Sequence, residues 1–226
     1  MLMRMIALSA TIAAVATVAG PVQAETKAAD IVTQAQISVQ GMTTDENIGE
    51  FVRRHAKNAK GVLVVPQMLK GAFGLGAEGG SGVLLVRDAK GSWSYPAFYT
   101  LGAVSFGLQI GGSASEVMLL LMTDRGVNAI VDGNRIKLGA DLGVAAGPIG
   151  AGAEAAVTLG SADVLVYSRS KGAYIGVSLE GSVIEPRESL NKEYYGVEVG
   201  AKPIVIQRTH SNPHADGLRS ALAAAR

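Results

Sequence analysis

The sequence predicts a mainly β, α+β domain: a closed antiparallel β-barrel with about three or more helices packed on its surface. Three observations predict it. A short apolar run closed by a basic residue and Gly occurs three times, at Val83–Gly91, Met118–Gly126 and Val164–Gly172. Glycine is abundant, at 29 of 226 residues, and after Gly61 turn signals recur at short intervals. Before Gly61 the spacing of apolar residues is helical instead. Runs too short to bury a core singly must share one sheet, and a long sheet hides both of its edges by closing on itself.

In chain order, Met1–Arg4 is a short basic start, Met5–Gly20 is an apolar run, and Val22-Gln23-Ala24 places small residues before Glu25. This is the pattern of a secretory signal, residues 1–24, followed by one domain over 25–226. The apolar run is shorter than the ~20 residues a spanning helix needs, so a peripheral, periplasmic protein is expected, with no transmembrane span after cleavage. A helical head follows over 26–60. Ala29, Val32, Ala35 and Val39 mark its first helix, with Gly41 as the expected C-cap. Thr44 opens the second, on which Ile48, Phe51, Val52, His55, Ala56 and Ala59 share one stripe and Arg53, Lys57 and Lys60 share the other side. The barrel body covers 61–207. Within it the first and third repeats run on into strands at 93–99 and 173–179, and the second into a short helix at 127–132. A last helix covers 214–225 after Asn212-Pro213.

Composition excludes several classes. With 48% hydrophobic and 17% charged residues the chain is no disordered segment. The absence of Cys removes disulfides, thiolate metal sites and cysteine nucleophiles. Arg4 aside, 19 basic residues balance 19 acidic ones, so there is no global basic field for nucleic acid.

Chemical motifs are few. Gly74–Gly79 matches G-x-G-x-x-G, but it runs into Val83–Val86, a strand, rather than opening the helix that a pyrophosphate requires. Ser168–Lys171 matches S-x-x-K without the companion motifs of a serine nucleophile. His210 and His214 are separated by Pro213 and lack a third ligand, and His55 reads as packing. No catalytic residue, metal site or cofactor is nominated. What remains is surface chemistry. Arg53, Arg54, Lys57 and Lys60 put four cations into eight residues on an amphipathic helix, the pattern of a helix lying on an anionic bilayer. Pro66–Phe73 reads as an adjacent loop in which Met68, Leu69 and Phe73 surround Lys70. The alternative for the helix is a solvated face on a helix docked to the sheet, and for the loop a core-bound segment.

Several motifs occur in a fixed order: Ala59–Pro66, the Gly-rich Phe73–Gly82, Trp93–Phe98, Ser105–Gly111, Leu138–Asp141, Ala146–Gly150 and Tyr194-Tyr-Gly196. In that order the chain resembles the SYLF domain, or Ysc84 actin-binding, family from about Ala28 to Gln207. The resemblance implies a β-barrel carrying surface helices and no enzyme activity. It implies binding of anionic phospholipids, phosphoinositides among them, through the segment Asn47–Lys60. For an exported bacterial member, phosphatidylglycerol, cardiolipin or lipid A is the expected partner. Lipid-binding candidates are therefore Arg53, Arg54, Lys57, Lys60, Met68, Leu69, Lys70 and Phe73. A structural or protein-interaction module of the cell envelope is the alternative, with actin binding only by family analogy.

Overall fold

The computed structural model describes residues 26–73, 75–106, 111–147, 162–170, 173–174 and 179–225. The expected signal segment lies outside them. Helix α1 (Lys27–Thr44) begins at Thr26, whose hydroxyl accepts the Ala29 N–H at 3.2 Å. It does not stop at Gly41. The guanidinium of Arg169 lies where a Cβ at this position would sit, so glycine here admits a side chain from the sheet rather than ending the helix. α1 ends instead at Asp45, whose carboxylate accepts the Asn47 and Ile48 N–H groups at 2.9 and 3.3 Å. The second helix, α2, is therefore shorter than its pattern suggested, covering Gly49–Ala56.

The body is a sheet of nine strands: β1 (Gly61–Phe73), β2 (Leu75–Val86), β3 (Ala97–Phe106), β4 (Gly111–Leu121), β5 (Ile136–Lys137), β6 (Val144–Ala146), β7 (Val164–Ser170), β8 (Ala173–Tyr174) and β9 (Val183–Pro186). Their order is β5-β9-β3-β2-β1-β4-β7-β6, with β8 paired to β7. The mixed α+β class holds, but the closed barrel does not: among the described strands the sheet is open, ending at β5 and β6. Nor is it wholly antiparallel, because β6 runs parallel to β7. The three apolar runs of the repeat lie in β2, β4 and β7. The expected strand at 93–99 begins only at Ala97, and of the one at 173–179 only the first two residues are seen paired, with 175–178 outside the described residues.

Two features explain why closure is unnecessary. The end strands are two and three residues long, too short to recruit a further strand. Both faces of the central strands are also covered. Val62, Val64, Leu85, Met118, Leu120 and Leu165 face one way, into a cluster with Ile31, Val32 and Val39 of α1 and Val52 of α2. Leu63, Val65, Leu84, Leu119, Leu121 and Val166 face the other, with Val127 and Ile130 of α3 (Asp124–Asp132). Continuous apolar runs are what a strand buried on both faces needs, which is why the repeat does not alternate. Three further helices complete the layers: α4 (Glu188–Tyr195), α5 (Ala201–Val205) and α6 (Asp216–Ala224), the last preceded by a 3₁₀ turn at Pro213–Ala215. Leu190 of α4 and Leu218 of α6 join the α1 side, and Ile204 of α5 the α3 side. Six α-helices thus flank the sheet among the described residues.

The expected loop at Pro66–Phe73 is strand. β1 continues to Phe73, with pairing shifts against β2 and β4 on either side of Pro66. Proline has no N–H for the ladder, so the strand bulges there and resumes.

Candidate functional site: the basic end of helix α2

The C-terminal end of α2 meets the start of β1, and the turn between them is held by backbone. The Lys60 N–H donates to the Leu121 carbonyl at 2.7 Å, and the Lys60 carbonyl accepts from the Arg87 N–H at 2.8 Å. Arg87 caps the helix: its guanidinium donates to the Lys57 and Ala56 carbonyls at 2.6 and 2.7 Å, and lies 4.4 Å above the ring of Trp93. A cation at helix carbonyls also complements the dipole. On the other flank Arg208, in a left-handed conformation at φ 56°, donates to the Val86 and Ser92 carbonyls and pairs with Asp88 at 3.1 Å. The Ser92 N–H is the main cause that holds the Asp88 carboxyl below the usual range, aided by Arg208.

The four cations of this segment are unequal. Arg53 donates to the Thr43 carbonyl and so ties α2 to the end of α1. Arg54 pairs with Glu50 at 2.7 Å, one turn earlier, with both side chains exposed. Lys57 and Lys60 are exposed, and among the described residues neither forms a hydrogen bond or ion pair through its ammonium group. They lie beyond the helix end, so the stripe expected for a continuous helix to Lys60 is replaced by a turn. His55 is partly buried, with Nδ1 at 2.9 Å from the Phe51 carbonyl and 2.8 Å from the Tyr167 hydroxyl, a packing role as expected.

The second group of candidates lies elsewhere. Met68 is buried in the core on the α3 side, Leu69 is 54% exposed, and Lys70 is exposed. Of Phe73 only the backbone is described. Lys70 stands directly across from Glu78 in the β1–β2 register. Ten residues of strand, about 33 Å at ~3.3 Å each, separate Lys70 from Lys60. The structure therefore does not bring the two groups into one site.

Other motifs resolve structurally. The matching glycines from Gly76 to Gly79 lie in strand β2, which opens no helix. Ser168 is buried in β7, and Lys171 lies outside the described residues. His214 contacts Tyr194 and His210 packs on Tyr195, so the two are not joined in one ligand set. Among the described residues no group of three His, Asp or Glu could hold a metal ion, and no helix is long and apolar enough to cross a membrane.

Arginines missed by the motif search hold much of this arrangement. Arg87 follows the first apolar run, Arg125 the second and Arg169 the third. Arg87 caps α2, Arg125 pairs with Asp163 at 3.3 Å, and Arg169 binds Glu116 at 2.6 Å beneath Gly41. The repeat was visible in the sequence. Of the three only Arg125 is the basic residue that closes its run before Gly; Arg87 and Arg169 stand earlier in theirs, and what each side chain reaches is set by the sheet.

The family model described as Ysc84, Las17-binding protein actin regulator, matches residues 102–225, more than half of the chain. The chain belongs to the Ysc84 family. It is 35% identical over 161 residues to human SH3 domain-containing YSC84-like protein 1, covering 71% of this chain and 47% of the relative. It is 36% identical over 165 residues to LAS seventeen-binding protein 3 of Saccharomyces cerevisiae, covering 72% of this chain and 36% of the relative. Protein YSC84 of the same yeast is 35% identical over 165 residues, covering 72% and 35%. The chain thus spans less than half the length of these relatives. The family description speaks of Las17 binding and actin regulation, and LAS seventeen-binding protein 3 is named for binding.

Proposed function

We propose that this Ysc84 domain is a non-catalytic binding module that docks on an anionic phospholipid surface through the C-terminal end of α2. One observation carries the reading: Lys57 and Lys60 are exposed and, among the described residues, without an ion pair, on a turn fixed by backbone bonds to Arg87, just after β2, and to Leu121 of β4. Such a turn presents charge without having to order it on binding. Each cation near an anionic bilayer contributes about 1 kcal/mol, so the two lysines supply about 2 kcal/mol, roughly thirtyfold in affinity. Arg53 and Arg54 add less, because one caps α1 and the other is paired with Glu50. With the leader-like residues 1–24, the membrane this surface meets is a periplasmic face rich in phosphatidylglycerol or cardiolipin.

The test is co-sedimentation with phosphatidylglycerol and with phosphatidylcholine vesicles at two salt concentrations. Binding to the first alone, weakened by salt, is expected, with Lys57→Glu/Lys60→Glu losing at least thirtyfold. Unchanged binding by this variant would remove α2 from the site. A protein partner is the second reading, favoured by the names of the family and its relatives. It takes precedence if neither vesicle binds and a partner is retained by the wild type but lost by the same variant.

A further inference from the structure

The chain has one tryptophan, Trp93, and it stands beside a second group of polar donors. Arg87 covers its ring from the α2 side, and Arg219 of α6 donates Nε to its carbonyl at 3.1 Å. Trp93 also lines a surface depression of about 440 Å³ with Lys90, Ser92, Asp216, Arg219 and Ser220. The inventory of donors there is uneven. Among the described residues the Lys90 ammonium and the Ser92 and Ser220 hydroxyls make no hydrogen bond, and all three residues are exposed. Arg219 uses Nε on Trp93 and Nη1 on Asp216 at 2.7 Å, which leaves Nη2. The single carboxylate, Asp216, is already engaged by Arg219 and by the Tyr95 hydroxyl at 3.0 Å. Those two bonds, Arg219 first, hold its carboxyl below the usual range, so it stays an acceptor for them.

We propose that this depression is a phosphate-group site, in which Lys90, Arg219 and the hydroxyls of Ser92 and Ser220 hold the terminal phosphomonoester of a lipid headgroup. Several donors around one open depression match a group with three terminal oxygens and a charge of about −1.5 to −2. A phosphodiester offers only two such oxygens and a single charge. The lipid source of the phosphate rests on the α2 reading, because Arg87 joins Trp93 to the carbonyls of Ala56 and Lys57 and so places the depression beside that surface.

Trp93 makes the test direct, since it is the chain's one tryptophan and lines this depression, and the Lys57→Glu/Lys60→Glu variant titrated alongside separates any change relayed from α2 through Arg87. The probes are vesicles of phosphatidic acid and of phosphatidylglycerol at matched surface charge, together with inorganic phosphate and glycerol 3-phosphate in solution. The expected result is a saturable change in Trp93 emission with phosphatidic acid, at least tenfold tighter than with phosphatidylglycerol. Lys90→Ala/Ser220→Ala should reduce that preference to under threefold while still binding phosphatidylglycerol. Both substitutions are at exposed positions and leave Arg219 on Trp93. Saturation by the soluble phosphates at equal or lower concentration would support the site and assign it to a soluble phosphate compound. No response of Trp93 to any phosphomonoester, or a preference that survives in the variant, overturns the proposal. The α2 reading fails separately, if Lys57→Glu/Lys60→Glu still binds phosphatidylglycerol.

Discussion

Strand β1 runs through two environments divided at Pro66. From Val62 to Val65 every side chain is fully buried, alternately toward α1 and toward α3. From Gln67 onward burial is partial, with Gln67, Leu69 and Lys70 exposed and Met68 buried. The same pairing partners, β2 and β4, flank both halves. What differs is the layer of helices above and below. The first half serves as scaffold and sets the positions of α2, Lys57 and Lys60 at its beginning. The second half keeps both pairing partners but is less covered, with the neighbours Leu69 and Lys70 exposed on opposite faces, and about 33 Å of strand separates Lys70 from Lys60.

The largest expected effect tests the buried half. Leu120 of β4 is fully buried opposite Val62. Leu120→Ala removes contacts to helix and sheet together, and should lower unfolding free energy by about 2–5 kcal/mol in urea denaturation. A loss under 1 kcal/mol would mean that the layers are packed loosely, contrary to the two covered faces described above. Next comes the boundary. A Cβ at Gly82 would meet the Val64 carbonyl and side chain atoms of Val65, within the stretch just before the bulge. Gly82→Ala should therefore cost about 1–3 kcal/mol by forcing β1 and β2 apart. Gly79, which meets only the Leu101 carbonyl at 3.6 Å, should accept alanine with little change. If the two variants melt alike, the close approach at the bulge is not real.

A comparable or smaller loss is expected where α1 is tied to the sheet. Glu116 accepts the Ser38 hydroxyl at 3.0 Å and binds Arg169 at 2.6 Å, while Arg169 passes α1 at Gly41. Arg169→Met leaves a half-buried carboxylate with one partner, and should cost about 1.5–3 kcal/mol. Arg169→Met/Glu116→Gln should recover part of that loss, since the uncompensated charge is gone. Additive losses in the double variant would show that the two side chains stabilise the fold separately.

How far the sequence foretold this arrangement depends on which physical signal each element carries. The strands of the repeat were legible because a doubly buried strand is a continuous apolar run, and α1 because its apolar spacing is helical over four turns. Openness was not legible: closure was inferred from the need to hide edges, and the short end strands β5 and β6 carry no periodicity at all. α4 and α5 were missed for related reasons. Tyr194-Tyr195 looks like strand composition, and Pro203 interrupts a helix of only five residues. At the candidate site the cluster of cations was visible, but its partition was not. That Arg53 reaches Thr43 depends on the Asp45 turn, and that Arg87 caps α2 depends on a pairing thirty residues away. Pro66–Phe73 was misread because proline and glycine suggest a loop, whereas here they mark a bulge within one long strand.

The smallest expected effect sharpens the contrast most. Leu69 is, among the described side chains, the most exposed large apolar residue of β1, and Lys70 beside it is also solvent-facing. Substitutions at such positions change stability by about 0.5 kcal/mol or less, so Leu69→Ser and Lys70→Glu should both melt like the wild type. Their binding behaviour separates the halves. Lys70 stands across the ladder from Glu78, and about 33 Å of strand lies between it and Lys60. At 0.15 M salt charges interact over only about 8 Å, so reversing Lys70 cannot be felt at α2. Both variants should bind phosphatidylglycerol vesicles within twofold of wild type, against at least thirtyfold loss for Lys57→Glu/Lys60→Glu. A tenfold loss from Leu69→Ser alone, with its melting temperature unchanged, would instead place the far half of β1 at the membrane and make its exposed face, rather than the basic turn, the docking surface.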